Sequence, residues 1–535
     1  MVRNPILRGF NPDPSICRVG DDYFIATSTF EWFPGIQIHQ SRDLENWALT
    51  TRPLNRSALL NMVGVPDSCG VWAPCLTWHD GLFYLCFTVV SRFDGNFKDT
   101  HNYLTTSTSI DGEWSEPVYL NSSGFDPSLY HGEDGRKWWL NMVWDHRPDR
   151  GFFRGITLQE YSPPDEKLMG KRKIIFDGSV SDCTEGPHLY RYGDYYYLMT
   201  AEGGTGYDHV VTMARSKGIE GPYELDPFGP VLTARKSPDH PLQRNGHADL
   251  VETADGLFYL VHLCSRPLPG TRRSPLGRET AIQRIERNAE GWFRLASGGC
   301  LPELDVEISH LPVKAGSADT VEIRDEFSGG ELPVHYQWLR TPWPEEIYSL
   351  SERPGYLRLF GRESLGSHFY QALIARRQQH FAYTAETCIQ FEPEHFQQMA
   401  GLVCYYNSSK FHYLYISRDE ELGKHLAIMS CEGNFSLDAA FPGYEDRIPV
   451  PENQSIYLRV RVESSQLTFA WSADNENWVE LPYELDASLL SDEAGKGEGA
   501  QFTGAFVGMC CQDLDGSRRV ADFSYFSYRP LKIAH

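Results

Sequence analysis

No stretch of this 535-residue sequence approaches the roughly 20 consecutive apolar residues that a membrane-spanning helix needs. The 12 cysteines include no CxxC pair and no nearby histidine partners, which favours free thiols over a disulfide framework. Basic residues are outnumbered 49 to 72 by acidic ones, and this net charge of −23 disfavours nucleic acid or an anionic membrane as a partner. Since the first residues also lack the apolar core of a secretion signal, a cytoplasmic protein is predicted.

The motifs of several large enzyme classes are also missing. The sequence contains no GxSxG, no Walker loop, no HExxH and no zinc spacing of Cys and His. Its Asp-Gly turns do not have the length or the ligand order of an EF-hand loop. Serine-hydrolase, P-loop and zinc-protease chemistry are therefore disfavoured.

A degenerate repeat is present in the first 300 residues. The segments PDPSI, WAPCL, FDPSL, GPHL and HADL end in aliphatic residues at steps of 60, 53, 60 and 61: Ile16, Leu76, Leu129, Leu189 and Leu250. A turn signal and an aromatic run follow each segment, as in HDGLFYLCF, and a further apolar strand follows these. Five units of three or four strands predict a five-bladed β-propeller over residues 1–312. A large irregular β-sandwich is the alternative, but it does not explain the spacing.

A second all-β domain is expected after the propeller. Residues 313–322 begin with VKAGSADT, a small and polar stretch that is typical of a linker. Long alternating strands then predict a two-sheet, jelly-roll, lectin-like β-sandwich over residues 323–535. The predicted fold is all-β throughout.

Acidic residues recur at equivalent positions of the repeat. Asp13 and Asp126 occupy the same position in units one and three, and Glu185 lies one residue before that position in unit four. Because the first strand of each blade lines the central channel, these three acids are expected to meet in space. Like charges that meet cannot all be ionised, so at least one pKa should rise. A carboxylic acid beside a carboxylate is the pair that glycoside hydrolysis uses. The alternative is that these acids are solvated surface residues, as most single acidic residues are.

Further residues fit a sugar site around these acids. Phe30, Trp72 and Trp144 can stack on pyranose faces, or they can be core packing. Arg278 lies just before a strand of the fifth unit and can face the acids, the alternative being a surface arginine. His247 occupies the fifth-unit equivalent of Asp13. It is a substrate contact, a ligand of an axial ion such as calcium, or a structural histidine, and these readings stay open.

These motifs together resemble glycoside hydrolase family 43, and most closely its two-domain β-xylosidases. The matching stretches are GFNPDPSI, GVWAPCL, GFDPSLY, TEGPHLY, NGHADLVET, GRETAIQ and, near the C-terminus, GAFVGMCCQDLDG. The resemblance implies that Asp13 is the general base, Glu185 the general acid, and Asp126 a third acid that orients Glu185 and keeps its pKa raised. It also implies pocket-lining roles for six more residues besides Arg278: Phe30, Trp72, Trp144, Thr205, His247 and Phe506.

The implied activity is an inverting, exo-acting β-1,4-xylosidase that releases xylose from the non-reducing end of short xylo-oligosaccharides. No cofactor is required, and homo-dimers or tetramers are expected. An arabinofuranosidase or arabinanase as the main activity and a non-catalytic carbohydrate-binding protein are the alternatives. A retaining fructosidase is disfavoured, because the first acid lies in Asn-Pro-Asp-Pro-Ser and Glu185 is followed by Gly.

Overall fold

Five four-stranded antiparallel sheets form the blades of a β-propeller. The computed structural model describes residues 1–308, 322–433, 439–494 and 501–532. The first strand of each blade contacts the first strand of the next, and that of blade five contacts that of blade one, which closes the ring. The strands, blade by blade, are Ser15–Val19, Asp22–Thr27, Gln37–Ser41 and Ala48–Thr51; Gly70–His79, Leu82–Arg92, Asp99–Ser107 and Val118–Asn121; Ser128–His131, Lys137–Trp144, Phe153–Ser162 and Lys167–Phe176; Glu185–Tyr192, Tyr195–Glu202, Val210–Ser216 and Glu224–Leu225; Gln243–Glu252, Phe258–Ser265, Glu279–Arg287 and Phe293–Leu295. The predicted five-bladed fold is confirmed.

Turn chemistry and burial explain why these segments form blades. Asp80 and Gly81 both have positive φ, 50° and 79°, in the two-residue turn after Gly70–His79, as an Asp-Gly hairpin turn requires. The second strand of blade three, Lys137–Trp144, is buried along most of its length, since neighbouring blades cover both faces of a blade. Its sequence KWWLNMVW is accordingly almost continuously apolar.

The N-terminal segment of the propeller pairs with the C-terminal end of the same domain. Val2–Arg3 pairs antiparallel with Asp305–Val306, and Leu7 forms a bridge with Thr280 of blade five. Asn4, which is buried, adds three side-chain bonds, two with the backbone N–H and C=O of Ile282 and one with the C=O of Glu303. These contacts join the two ends of the propeller around blade five.

Two packed sheets form the second domain. Among the described residues, one sheet has nine strands: Ile323–Asp325, Tyr348–Ser349, Leu357–Phe360, Ala382–Gln390, Ile456–Glu463, Gln466–Ser472, Val479–Glu480, Leu485–Asp486 and Val520–Pro530. The other has seven in the same described ranges: Ala372–Arg377, Gln398–Asn407, Lys410–Asp419, Gly423–Glu432, Ala439–Ala440, Ile448–Pro449 and Phe506–Asp513. This is the predicted jelly-roll sandwich.

The two domains share a strand pair and a continuous apolar core. Trp32–Phe33, in a loop of blade one, pairs antiparallel with Trp338–Leu339 of the second domain. Buried apolar residues of both domains belong to one cluster. The predicted linker 313–322 lies outside the described residues except for Glu322.

Helical structure is limited, within the described ranges, to three short 3-10 turns at Pro344–Glu346, Tyr444–Asp446 and Ala487–Leu489. None of the described helices has the length and apolar character to cross a membrane. Each of the 12 cysteines is free, which agrees with the prediction from their spacing.

Candidate active site

A cavity of about 350 Å³ opens where the blades converge, and the second domain covers one side of it. Its walls contain nine of the predicted site residues: Asp13, Phe30, Trp72, Asp126, Trp144, Glu185, Thr205, His247 and Arg278. They also contain seven residues that were not predicted: Lys98, Phe125, Phe153, Gly204, His209, Leu263 and Phe502. The three acids, distant in sequence, therefore lie in one cavity.

One backbone conformation recurs at the inner end of every blade. The residue at the repeated position has a left-handed φ in all five units: 55° at Asp13, 38° at Ala73, 56° at Asp126, 56° at Gly186 and 43° at His247. A non-glycine residue rarely adopts this conformation, and such strain concentrates at functional sites. We call these five residues the inner positions. Asp13, Asp126 and His247 point from them into the cavity.

Blade four departs from this pattern because its inner position is glycine. A Cβ at Gly186 would lie 3.2 Å from the ring of His247, so a side chain there would press on that ring. The acid of this blade is instead Glu185, one residue earlier, at the start of its strand. The Gly186 N–H donates to Asp126 Oδ2 at 3.0 Å, which ties blades three and four together beneath the cavity.

Asp13 is held as an ionised carboxylate. Arg278 Nη1 donates to its Oδ1 at 2.9 Å, and Ser28 Oγ donates to its Oδ2 at 2.7 Å. Burial alone would raise the pKa of Asp13, but the charge of Arg278 and the hydrogen bond from Ser28 keep the pKa below its ordinary value. A carboxylate in this state can accept a proton from water.

Glu185 and Asp126 have the opposite electrostatics. Burial and then the charge of Asp13 raise the pKa of Glu185 to about 8, while Arg278 and Lys98 act against this. Burial, Glu185 and Asp13 raise the pKa of Asp126 well above its usual range. Whichever of these two acids ionises first raises the pKa of the other, so the pair keeps a proton at neutral pH. The site therefore combines a base with a carboxylic acid, as acid–base hydrolysis requires.

Aromatic rings form the side walls. The ring centroids of Phe30 and Trp72 are 5.6 Å apart, and each lies within about 6 Å of Phe502, at 6.2 and 5.5 Å. Trp144 continues this wall through Phe125, whose ring centroid is 6.3 Å from that of Trp144, and Lys98 Nζ lies 4.3 Å from the Trp144 ring centroid. Apolar walls above a polar floor suit a sugar ring, which has apolar faces and a hydroxylated edge.

Comparison of the sequence with known protein families shows where this site belongs. The family described as "Glycosyl hydrolases family 43" matches residues 2–293, which is more than half of the chain. The chain belongs to family 43. Residues 324–529 of this family 43 protein match a second model, described as "Beta xylosidase C-terminal Concanavalin A-like domain".

Relatives of this family 43 protein match it along nearly its whole length. A β-xylosidase of Bacillus subtilis is 49% identical, with 99% of each chain covered. A xylosidase/arabinosidase 43B of Humicola insolens is 50% identical, with 99% of this chain and 98% of that protein covered. The crystal structure of a xylan β-1,4-xylosidase from Bacillus halodurans superposes with a TM-score of 0.95 at 47% identity, covering 99% and 100% of the two chains.

One predicted residue of the family 43 site is not in the cavity wall. Phe506 is fully buried at the start of its strand, and its ring stacks on Trp32 with centroids 3.7 Å apart. The second domain instead supplies Phe502, four residues earlier, from the loop that precedes the strand. Phe506 is thus part of the domain interface, and the prediction is corrected to Phe502.

The missed residues carried weak sequence signals. Phe125 directly precedes Asp126 in GFDPS, so its place in the repeat could have revealed it. Lys98 comes from a loop of blade two, where no motif marks it. His209 and Phe502 likewise belong to no repeated pattern. They reach the cavity only through the packing of the blades and of the second domain.

His247 lies between two carboxylates without a close bond to either. Its Nδ1 is 3.9 Å from Asp13 Oδ1 and 3.9 Å from Asp126 Oδ2. Burial lowers the pKa of His247 to about 4 although Asp13 acts to raise it, so the ring is neutral. Calcium takes six to eight oxygen ligands, and the described residues include no group of three or more His, Cys, Asp or Glu arranged to hold a metal. The readings of His247 as a substrate contact, a ligand of an axial ion or a structural histidine stay predictions from the sequence, and no step is assigned to a metal.

Proposed function

We propose that this family 43 protein is an exo-acting, inverting β-1,4-xylosidase that releases single xylose units from the non-reducing end of short xylo-oligosaccharides. The observation that carries the proposal is the cavity of about 350 Å³, with an ionised Asp13 and a protonated Glu185 in its wall and Phe502 closing one side. A site closed by a second domain admits a chain end rather than the middle of a long polymer. The names of the relatives, β-xylosidase and xylan β-1,4-xylosidase, support the substrate.

The residues divide the work of hydrolysis as follows. Asp13 accepts a proton from a water molecule, which attacks the anomeric carbon. Glu185 donates its proton to the glycosidic oxygen, so that the leaving sugar departs as an alcohol. Arg278 keeps Asp13 ionised by its bond to Oδ1. Asp126, close to Glu185 and bonded to the Gly186 N–H, orients the acid. Attack by water without a covalent intermediate inverts the anomeric centre.

The stereochemistry of the first product tests this mechanism. Proton NMR during early turnover of 4-nitrophenyl β-D-xylopyranoside, which releases a single sugar, should show α-xylose before mutarotation mixes the anomers. Initial β-xylose would mean retention and would contradict the assignment of Asp13 as base.

An α-L-arabinofuranosidase is the second candidate, because one relative is named xylosidase/arabinosidase. Comparing kcat/KM on 4-nitrophenyl β-D-xylopyranoside and 4-nitrophenyl α-L-arabinofuranoside decides between the two main activities. We expect the xyloside to be preferred, with the arabinoside as a side activity. A protein that only binds carbohydrate would cleave neither. The cytoplasmic location and the dimeric or tetrameric state stay predictions from the sequence.

A further inference from the structure

A buried arginine connects the second domain to the active site. Arg244 lies in the first strand of blade five, three residues before His247, and is 5% exposed with a left-handed φ of 58°. Its guanidinium crosses the domain boundary to two acids, with 2.9 Å from Nη2 to Asp492 Oδ2 and 2.9 Å from Nη1 to Glu493 Oε1. We call Arg244, Asp492 and Glu493 the interdomain clasp.

On the propeller side the clasp holds cavity residues. Arg244 Nε donates to the backbone carbonyl of Thr205 at 2.9 Å, and His209 Nδ1 lies 3.1 Å from the carbonyl of Arg244. The hydroxyl of Thr205 in turn accepts from Arg278 Nη1 at 3.2 Å. The same nitrogen donates to Asp13 Oδ1 at 2.9 Å. An unbroken series of contacts therefore runs from the acids of the second domain to the base.

On the sandwich side the clasp holds the segment that closes the cavity. Asp492 accepts from the hydroxyl of Tyr406, and that hydroxyl accepts from the Thr503 N–H at 3.3 Å. Phe502, next to Thr503, accepts from Arg278 Nη2 through its carbonyl at 2.9 Å. Arg278 is thus held from two directions, and both lead back to the clasp.

The charges of the clasp are balanced and enclosed. Glu493 Oε2 also accepts from the Ser274 N–H at 3.0 Å, and Lys410 Nζ donates to the carbonyl of Ser491 at 2.7 Å. The charge of Lys410 also interacts with Asp492 and Glu493, so a second cation lies near the two acids in a region where water has little access. Removing one acid would leave Arg244 incompletely paired, and a buried cation without its partner draws away to other acceptors or to water. The Thr205 carbonyl would then lose its donor.

We propose that Arg244 is a positioning residue which, with Asp492 and Glu493, holds Thr205 and thereby fixes Arg278 against Asp13. The second domain accordingly contributes more than the Phe502 wall, since its acids maintain the contact between the arginine and the base. This inference rests on the proposed function, because Asp13 and Arg278 act in the hydrolysis assigned there.

The test compares the clasp with another ion pair at the same domain boundary. Glu493→Gln and Asp492→Asn each remove one negative charge with little change of shape. Arg273→Met is the matched control: Arg273 pairs with Asp486 across the boundary at 3.0 Å and does not line the cavity. For each purified variant, kcat/KM on 4-nitrophenyl β-D-xylopyranoside is measured from pH 3 to 9, together with the melting temperature.

We expect both clasp variants to lose at least about 10-fold in kcat/KM, and their acid limb to move to higher pH. The limb moves because the pKa of Asp13 rises when Arg278 is no longer held against it. The other titratable or charged groups around Asp13 are unchanged in these variants: His247, His209, Asp126 and Glu185. Arg273→Met should keep the wild-type rate and acid limb.

Clasp variants that stay within two-fold of wild type with an unmoved acid limb would overturn the proposal, as would an equal loss in Arg273→Met. If the neutral variants do not fold, Arg244→Lys is read by the same two criteria, since lysine keeps the charge but cannot bond both acids and Thr205. A wild-type protein inactive on both nitrophenyl pentosides would refute the proposed function. An active wild type with unaffected clasp variants would refute only this inference.

Discussion

Replacing Glu185 with glutamine separates its role as a proton donor from its role in the shape of the site. Glutamine has nearly the same volume but cannot deliver a proton to the leaving oxygen. A leaving sugar needs that proton, whereas 4-nitrophenolate departs readily without it. The loss should therefore depend on the substrate, which a merely structural defect would not produce.

The raised pKa of Glu185 determines how much of this residue carries the proton that it donates. At about pH 6.5 a carboxyl group with a pKa of about 8 is about 97% protonated, whereas one at the ordinary 4.5 is about 1% protonated. Burial and the charge of Asp13 thus increase the acid form of Glu185 by about 100-fold. Loss of a general acid costs about 10²–10⁴-fold in rate. We expect a loss of this size on xylobiose and of less than about 10-fold on 4-nitrophenyl β-D-xylopyranoside.

The assay measures kcat/KM on both substrates from pH 5 to 10. For the wild type acting on xylobiose, the rate should fall above about pH 8 as Glu185 loses its proton, and this limb should be absent in Glu185→Gln. Glu202→Gln is the control, because Glu202 is a buried carboxyl of the same blade that does not line the cavity. Equal losses on the two substrates in Glu185→Gln would refute the reasoning.

Three further outcomes are expected. Asp13→Ala should lower turnover of xylobiose by about 10²–10⁴-fold without a large change in melting temperature, and near-normal rates would end its assignment as base. Lys98→Met should move the alkaline limb to higher pH, because Lys98 lowers the pKa of Glu185; a limb that stays in place would show that this charge is screened. Glu31→Gln should reduce the loss of melting temperature between pH 5 and 8. Burial and then Asp67 raise the pKa of Glu31 from 4.5 to about 8, so the folded state binds more protons in that window and wild-type stability falls as pH rises. Parallel melting curves for Glu31→Gln and wild type would contradict this.

The propeller could be predicted because its repeat is written in the local sequence. Each unit needs the same turn and the same aromatic strand, so the spacing of Ile16, Leu76, Leu129, Leu189 and Leu250 was visible without a structure. The alignment of these units also placed Asp13, Asp126 and His247 at one backbone position, which the left-handed φ values now explain. A repeat of this kind can be detected in a single sequence.

The remaining part of the site depends on contacts between distant segments. Phe502 and Phe506 lie four residues apart and are both aromatic, so only the packing of the second domain shows which ring faces the cavity. Arg244 carries no motif, and its partners Asp492 and Glu493 are about 250 residues away. Functional residues can be predicted from the sequence when they lie in a repeat or a known motif. Residues that reach the site only through tertiary packing cannot.

The five inner positions have a consequence for redesign of this scaffold. These positions share one left-handed backbone conformation, although their residues differ: Asp13, Ala73, Asp126, Gly186 and His247. The backbone therefore sets the direction in which a side chain leaves the strand. Ala73 presents only a methyl group there, and its N–H is already satisfied by Ser28 Oγ at 2.7 Å. Blade two thus offers a backbone position, joined to Asp13 through Ser28, at which a designed side chain would leave the strand in the same direction as the two aspartates.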